Sequence, residues 1–210
     1  MFEEKNIKAP QKRKKKDTTL KHQKILDGAI EVFTKYGFES SSMDKIAEVA
    51  GVSKSTVYSH FKSKEALFQT IVFGFMQRGT DMQPIEYIKT IPLKEQLIGF
   101  AKGELYAVDT PEHIKLSRLV HSIFSMNVEL GVTALKEYRK NNERFIEWLK
   151  AAKADNKLKF DDPELVCEIF FGMIDGSLIL RALYSNGENL SKLDKTLDEL
   201  IEVFLARYKC

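Results

Sequence analysis

The chain is poor in residues that interrupt or cross-link a backbone. Its 210 residues include two cysteines, five prolines, eleven glycines and one tryptophan. Cys167 and Cys210 cannot form a disulfide framework, and such sparse use points to a reducing compartment, so a cytoplasmic location is expected. Pro10, Pro84, Pro92, Pro111 and Pro163 leave long stretches free of helix breakers. A long apolar run is also missing. The most apolar stretch, Ile169 to Leu180, is too short to cross a bilayer and carries Asp175, and the basic N-terminus is not followed by the apolar segment of a secretory signal. No phosphate-cradling glycine loop, nucleophile elbow, or His or Cys pair at metal-ligand spacing is present. The four histidines, His22, His60, His113 and His121, are scattered. These absences argue against an enzyme, a bound metal, a cofactor and a membrane partner.

A dominant charge is lacking as well, since 33 Lys and Arg oppose 30 Asp and Glu for a net +3. The balance conceals a division. Residues 1–64 hold 14 basic and 8 acidic side chains, a surplus of +6, and residues 65–210 hold 19 and 22, a deficit of −3. A basic third joined to a mildly acidic remainder suggests a nucleic-acid module joined to something else. The densest run, Lys12-Arg13-Lys14-Lys15-Lys16, has no apolar anchor and reads as a disordered basic arm over residues 1–17. Its role stays open between a solubilising tail and a phosphate-neutralising extension.

Apolar side chains recur at helical spacing, and alternating strand patterns are almost absent. An all-α fold follows. Ile25, Ala29, Val32, Phe33 and Tyr36 share one face of a helix over 18–36, closed by Gly37. Ser42 caps a short helix at 43–50, Gly51 breaks it, and Ser53 caps another at 54–61. Ser63 opens a helix reaching about Arg78. Further helices are predicted at 93–108, 112–126, 128–153, 163–185 and 192–208. Asp162 caps the 163–185 helix and Pro163 occupies its first position.

Two short helices joined by a glycine turn in a basic region suggest a helix-turn-helix. Ile46, Val52, Val57 and Phe61 face inward, which leaves Lys54, Ser55, Thr56, Tyr58, Ser59 and His60 for the outward face, where a recognition helix meets the major groove. The run from Ser42 to Phe68, with Ala29-Ile30-Glu31-Val32-Phe33 and Tyr36-Gly37-Phe38 before it, resembles the TetR family of bacterial transcription regulators. One departure is Ser55, where many members carry Gly, Ala or Pro. The resemblance implies a DNA-binding domain over 18–64 and an effector-binding and dimerisation domain over 65–210. It implies that Ser42, Tyr58 and Lys64 meet phosphates, and that Lys54, Thr56, Ser59 and His60, with Ser55 less central, reach base edges. Removal of Lys64 would then weaken all DNA sequences alike and flatten the salt slope by about one unit.

The same resemblance implies a homodimer on a palindromic operator, with the last two helices packed against their symmetry mates. Ile169, Met173, Gly176, Leu180, Leu183, Leu197, Ile201 and Phe204 are the expected interface, alternatively intramolecular core. It implies a small effector, apolar or aromatic from the composition. Candidate lining residues are Phe75, Phe100, Tyr106, Phe124, Trp148 and Phe171, each alternatively plain core. Arg118 and His121, three residues apart, share a helix face that could meet a ligand carboxylate or, equally, sit in water. Asp175 is a further candidate, as ligand acceptor, interface ion pair or buried contact. The expected function is a ligand-released repressor. The rival reading is a regulator that binds another protein through its acidic half, with specific DNA binding secondary.

Overall fold

In the computed structural model, residues 11–84, 86–185 and 193–210 are described, and every absence below refers to them. Two compact units divide between Ile71 and Val72.

The first unit holds α1 (Gln11–Tyr36), α2 (Met43–Ala50), α3 (Lys54–His60) and the start of α4 (Lys64–Asp81). The helix expected from residue 18 begins at Gln11, so residues 11–17 of the expected disordered arm are helical. Lys, Arg and Gln cost little in a helix, and a basic run free of glycine extends one readily. Residues 1–10 of that arm lie outside the described residues. Gly37 and Gly51 adopt φ of 79° and 63°, the left-handed region that closes α1 and α2. Gly28 serves close approach instead, since a Cβ there would lie 3.0 Å from the backbone nitrogen of Ala50. Ser42 and Ser53 accept from the N–H groups of Lys45 and Thr56, as N-caps do. Ile25, Ala29, Val32, Ile46, Val57 and Leu67 are buried. Phe33, Phe38 and Phe68 form an aromatic triangle with centroids 5.3–6.1 Å apart. The first two turns of α4 thus complete this core, which moves the division beyond the expected residue 64.

The second unit contains the rest of α4, then α5 (Leu93–Leu105), a 3₁₀ turn (Tyr106–Val108), α6 (Pro111–Met126), α7 (Val128–Asn141) and α8 (Glu143–Ala154). After these come α9 (Pro163–Ile174), a π turn (Asp175–Ile179), α10 (Leu180–Tyr184) and α11 (Leu193–Tyr208). Two expected helices are divided: 128–153 breaks at Asn142, and 163–185 carries the π turn. Asp162 caps α9 by accepting from Leu165 N–H at 3.0 Å. Phe100, Phe145, Trp148, Phe170 and Phe204 form a continuous aromatic core, with Phe145 stacked on Phe170 at 4.6 Å. Gln96 lies inside it. Its Oε1 accepts from Trp148 Nε1–H and Ile88 N–H, both at 2.9 Å, and its Nε2 donates to Ile88 O and Ile91 O at 2.9 and 2.7 Å. Cys167 is buried in the same core, and its thiol is pushed up to about 12, chiefly by that burial.

Candidate DNA interface and effector cavity

The outward residues of α3 are largely held in place by one another. Ser53 Oγ lies 2.9 Å from Ser55 Oγ and 2.7 Å from Thr56 Oγ1, and Ser59 Oγ donates to Thr56 O at 2.7 Å. Lys54 Nζ pairs with Asp44 Oδ2 at 2.5 Å, a solvent-exposed bridge between α3 and α2. Exposed pairs of this kind contribute little and exchange readily for a phosphate or base acceptor. Tyr58 is 49% exposed. His60 lies 5.5 Å, ring to ring, from His22 of α1. Burial first, and then His60, lower the pKa of His22. The helix therefore presents short hydroxyls, a lysine, a tyrosine and an imidazole on one preorganised surface.

Lys64 departs from its expected role. Its ammonium donates to Phe38 O, Glu39 O and Ser41 O at 2.7, 3.3 and 3.3 Å and lies 4.4 Å from the centre of the Phe38 ring. An ammonium has three donors, and all three are spent on the loop between α1 and α2. Lys64 is a clip on that loop rather than a free phosphate ligand. Lys64→Ala is expected to cost the first unit about 1–2 kcal/mol in thermal or denaturant unfolding. The salt slope of DNA binding should stay unchanged. A slope flattened by about one unit with unaltered stability would restore the phosphate role.

The expected interface residues separate into two groups. Ile169 and Leu180 are 37% and 39% exposed, and Met173 and Gly176 lie on the same open side of α9 and the π turn. Leu183, Leu197, Ile201 and Phe204 are instead buried in the unit's own core, at 4% exposure or less. The stripe on α11 that was expected outward packs inward, for instance Phe204 against Phe170 at 5.1 Å. Leu165 of α9 and Val203 of α11 are exposed apolar residues as well, at 52% and 59%.

A cavity of about 500 Å³ opens within the second unit. Of the candidate ligand contacts, Phe75, Tyr106, His121, Phe124 and Asp175 line it. Phe100, Trp148 and Phe171 do not. They are buried at 3% exposure or less in the aromatic core, where neighbouring rings occupy the space a ligand would need. Arg118 does not line it either. Its guanidinium donates to Leu183 O at 2.6 Å and Ser185 O at 2.9 Å, closing the end of α10. His121 is exposed at the cavity's edge, yet partial desolvation lowers its pKa, which favours the neutral ring. Asp175 is pushed up to about 6 by burial.

The described residues hold no group of three His, Cys, Asp or Glu suited to a metal ion, and no helix long and apolar enough to cross a membrane. The family model described as "AefR-like transcriptional repressor, C-terminal domain" matches residues 95–210, more than half of the chain. The model described as "Bacterial regulatory proteins, tetR family" matches residues 25–71. The chain belongs to the TetR family of bacterial transcriptional regulators. Its TetR-family relatives include the uncharacterised HTH-type transcriptional regulator YhgD of Bacillus subtilis. The two are 27% identical over 189 residues, which cover 87% of this chain and 93% of that one. Among solved structures, a TetR family transcriptional regulator from Pseudomonas syringae pv. tomato aligns with a TM-score of 0.72 at 27% identity, over 96% of this chain and 99% of that one. The flavonoid-responsive regulator FrrA aligns with a TM-score of 0.67 at 27% identity, over 90% and 97%. This TetR-family protein is a DNA-binding helix-turn-helix regulator of transcription and not an enzyme.

Some cavity residues of this TetR-family chain were not anticipated from its sequence. Gly79 of α4 and Gly103 of α5 meet backbone to backbone, so that a Cβ on Gly79 would lie 2.6 Å from Gly103 O. Both also line the cavity, with Glu104 beside them. Gln83 Nε2 donates to Glu104 Oε1 at 3.1 Å. A glycine inside a helical pattern is costly, and that cost was the available signal of a close approach.

Proposed function

We propose that this TetR-family regulator is a homodimeric repressor that binds a palindromic operator and is released by a small apolar or aromatic effector. The reading rests on one observation above others: a drug-sized cavity of about 500 Å³, walled by Phe75, Tyr106 and Phe124, in the unit that carries no recognition helix. Repression is supported by the "AefR-like transcriptional repressor" description of the matching C-terminal model. An aromatic effector is in keeping with the flavonoid response in the name of FrrA. The dimer is supported by the exposed apolar stripe of Leu165, Ile169, Leu180 and Val203. Gly172 and Gly176, where a Cβ would meet nothing within 4 Å, leave room for a partner helix along it. A two-fold dimer places two recognition helices in successive major grooves, about 34 Å apart. α4 runs from Lys64 to Asp81 through the division between the units, so an effector that alters its course changes the presentation of α3. Such coupling is typically about 1–3 kcal/mol.

Selection of bound sequences from random DNA, followed by footprinting, tests the reading. Protection of an inverted repeat is the expected result. Loss of any sequence preference would favour a protein partner as the main target. On the selected operator, Ser59→Ala and His60→Ala should each cost about 1–3 kcal/mol, concentrated at particular base pairs. A uniform loss over all sequences would remove these residues from base readout. Deletion of residues 1–16 should lower the salt dependence of binding. An unchanged slope would make the basic run a bystander.

A further inference from the structure

The cavity's polar groups differ in what they have left to offer. Thr80 Oγ1 donates to Met76 O at 3.2 Å and Ser117 Oγ donates to Ala107 O at 2.8 Å, so both hydroxyl hydrogens are used on backbone carbonyls and only neutral lone pairs remain. Glu104 accepts from Gln83. The carboxylate of Asp175 has no hydrogen-bond or ion-pair partner among the described residues, although it stands in an apolar helix and lines the cavity. A desolvated carboxylate without a donor is costly, and an occupant carrying a donor relieves that cost.

The sign of the wall is equally informative. Two carboxylates, Asp175 and Glu104, line it with one imidazole and no lysine or arginine among the described lining residues. Arg118 is the basic side chain three residues from His121, and it is committed to Leu183 O and Ser185 O. The sequence pattern suited an anionic ligand at Arg118 and His121, whereas the folded cavity suits the opposite charge. Its aromatic wall agrees. Phe75 and Tyr106 pack at 5.4 Å, and ring faces attract cations. Asp175 also opens a π turn, in which Leu180 N–H reaches back to Asp175 O, a departure from α-geometry that recurs at functional sites.

We propose that the effector is an aromatic molecule bearing a protonated nitrogen, seated with its N–H on the Asp175 carboxylate and its rings against Phe75, Tyr106 and Phe124. The inference rests on the effector-cavity reading above and narrows it to one chemical class. At pH 7.5 the carboxylate is ionised, because burial raises it only to about 6.

Three probes on one aromatic body test the class: anthracenylmethylamine, anthracenylmethanol and anthracenecarboxylate, titrated into the full chain by calorimetry at pH 7.5. The amine should bind about tenfold or more tighter than the alcohol, and the carboxylate weakest, as a charge-assisted bond to Asp175 requires. Asp175→Asn should bring the amine to the level of the alcohol and leave the alcohol within about twofold. Asp175→Glu, which restores the charge, should keep the preference for the amine. A carboxylate probe that equals or exceeds the amine, or an amine indifferent to Asp175→Asn, overturns the cationic class while the bound probes leave the cavity reading standing. Binding by none of the three overturns the cavity reading and this inference with it.

Discussion

Gln96→Leu is expected to lower the unfolding free energy of the second unit by about 3 kcal/mol, read as an earlier denaturant midpoint by circular dichroism. The residue change removes no charge and little volume, and leucine is the more apolar side chain. The loss comes from what it abandons. Gln96 satisfies four groups at once: Trp148 Nε1–H, Ile88 N–H, Ile88 O and Ile91 O. Ile88 and Ile91 are 41% and 37% exposed, so their backbone groups recover water when the amide is gone. Trp148 is 1% exposed and its indole N–H recovers nothing. A buried donor left without an acceptor costs about 1–3 kcal/mol. The loss of the loop's anchor adds to that. Pairing Gln96→Leu with Trp148→Phe removes the orphaned donor together with its acceptor and should return part of the loss. A double variant no better than the sum of the singles would show that the indole bond contributes little.

Asp175→Asn is expected to have the opposite sign. Burial raises the carboxyl from its ordinary 3.8 to about 6, so the folded state holds this proton more tightly than the unfolded state does. The wild-type chain therefore loses stability at this site as pH rises from about 4 to about 6, and the cost is fully present above that. A carboxyl raised this far costs the folded state about 2–3 kcal/mol once it is ionised. Asp175→Asn removes the titration and should stabilise the second unit by roughly that amount at pH 7.5, with no gain below pH 4. Unfolding curves collected from pH 4 to pH 8 check it. A pH-independent difference between the two proteins would show that the carboxyl is not desolvated. A group that costs stability where it stands, and would repay it on meeting a cation, has the character of a binding residue.

The helix-turn-helix was legible residue by residue because its signals are local. Ser42, Gly51 and Ser53 cap and break helices through their own backbone geometry, and the structure returns α2 at the expected 43–50. The second unit was less legible because its decisions are made across helices. Helical spacing identifies an apolar face, yet it does not say whether that face meets a cavity or another ring. Phe75 and Phe124 line the cavity, and Phe100 and Trp148 have the same chemistry and are walled in by Phe145. Spacing likewise puts Arg118 beside His121, but only the folded chain brings the carbonyls of Leu183 and Ser185 to the guanidinium. On α11 the inward stripe of Leu197, Ile201 and Phe204 is interleaved with Val203 facing out, and neither stripe announces its partner. The π turn has no sequence signature that separates it from a regular helix. The break at Asn142 is marked only by a run of two asparagines after Lys140.

Trp148 is the chain's sole tryptophan. Because it is sealed in the core of the second unit, intrinsic indole emission is a private reporter of that unit. Melting of the DNA-reading head is silent in that channel and visible in backbone circular dichroism. The difference between the two signals therefore resolves the units in the intact protein, and it allows an effector's stabilisation to be assigned to the unit that holds it.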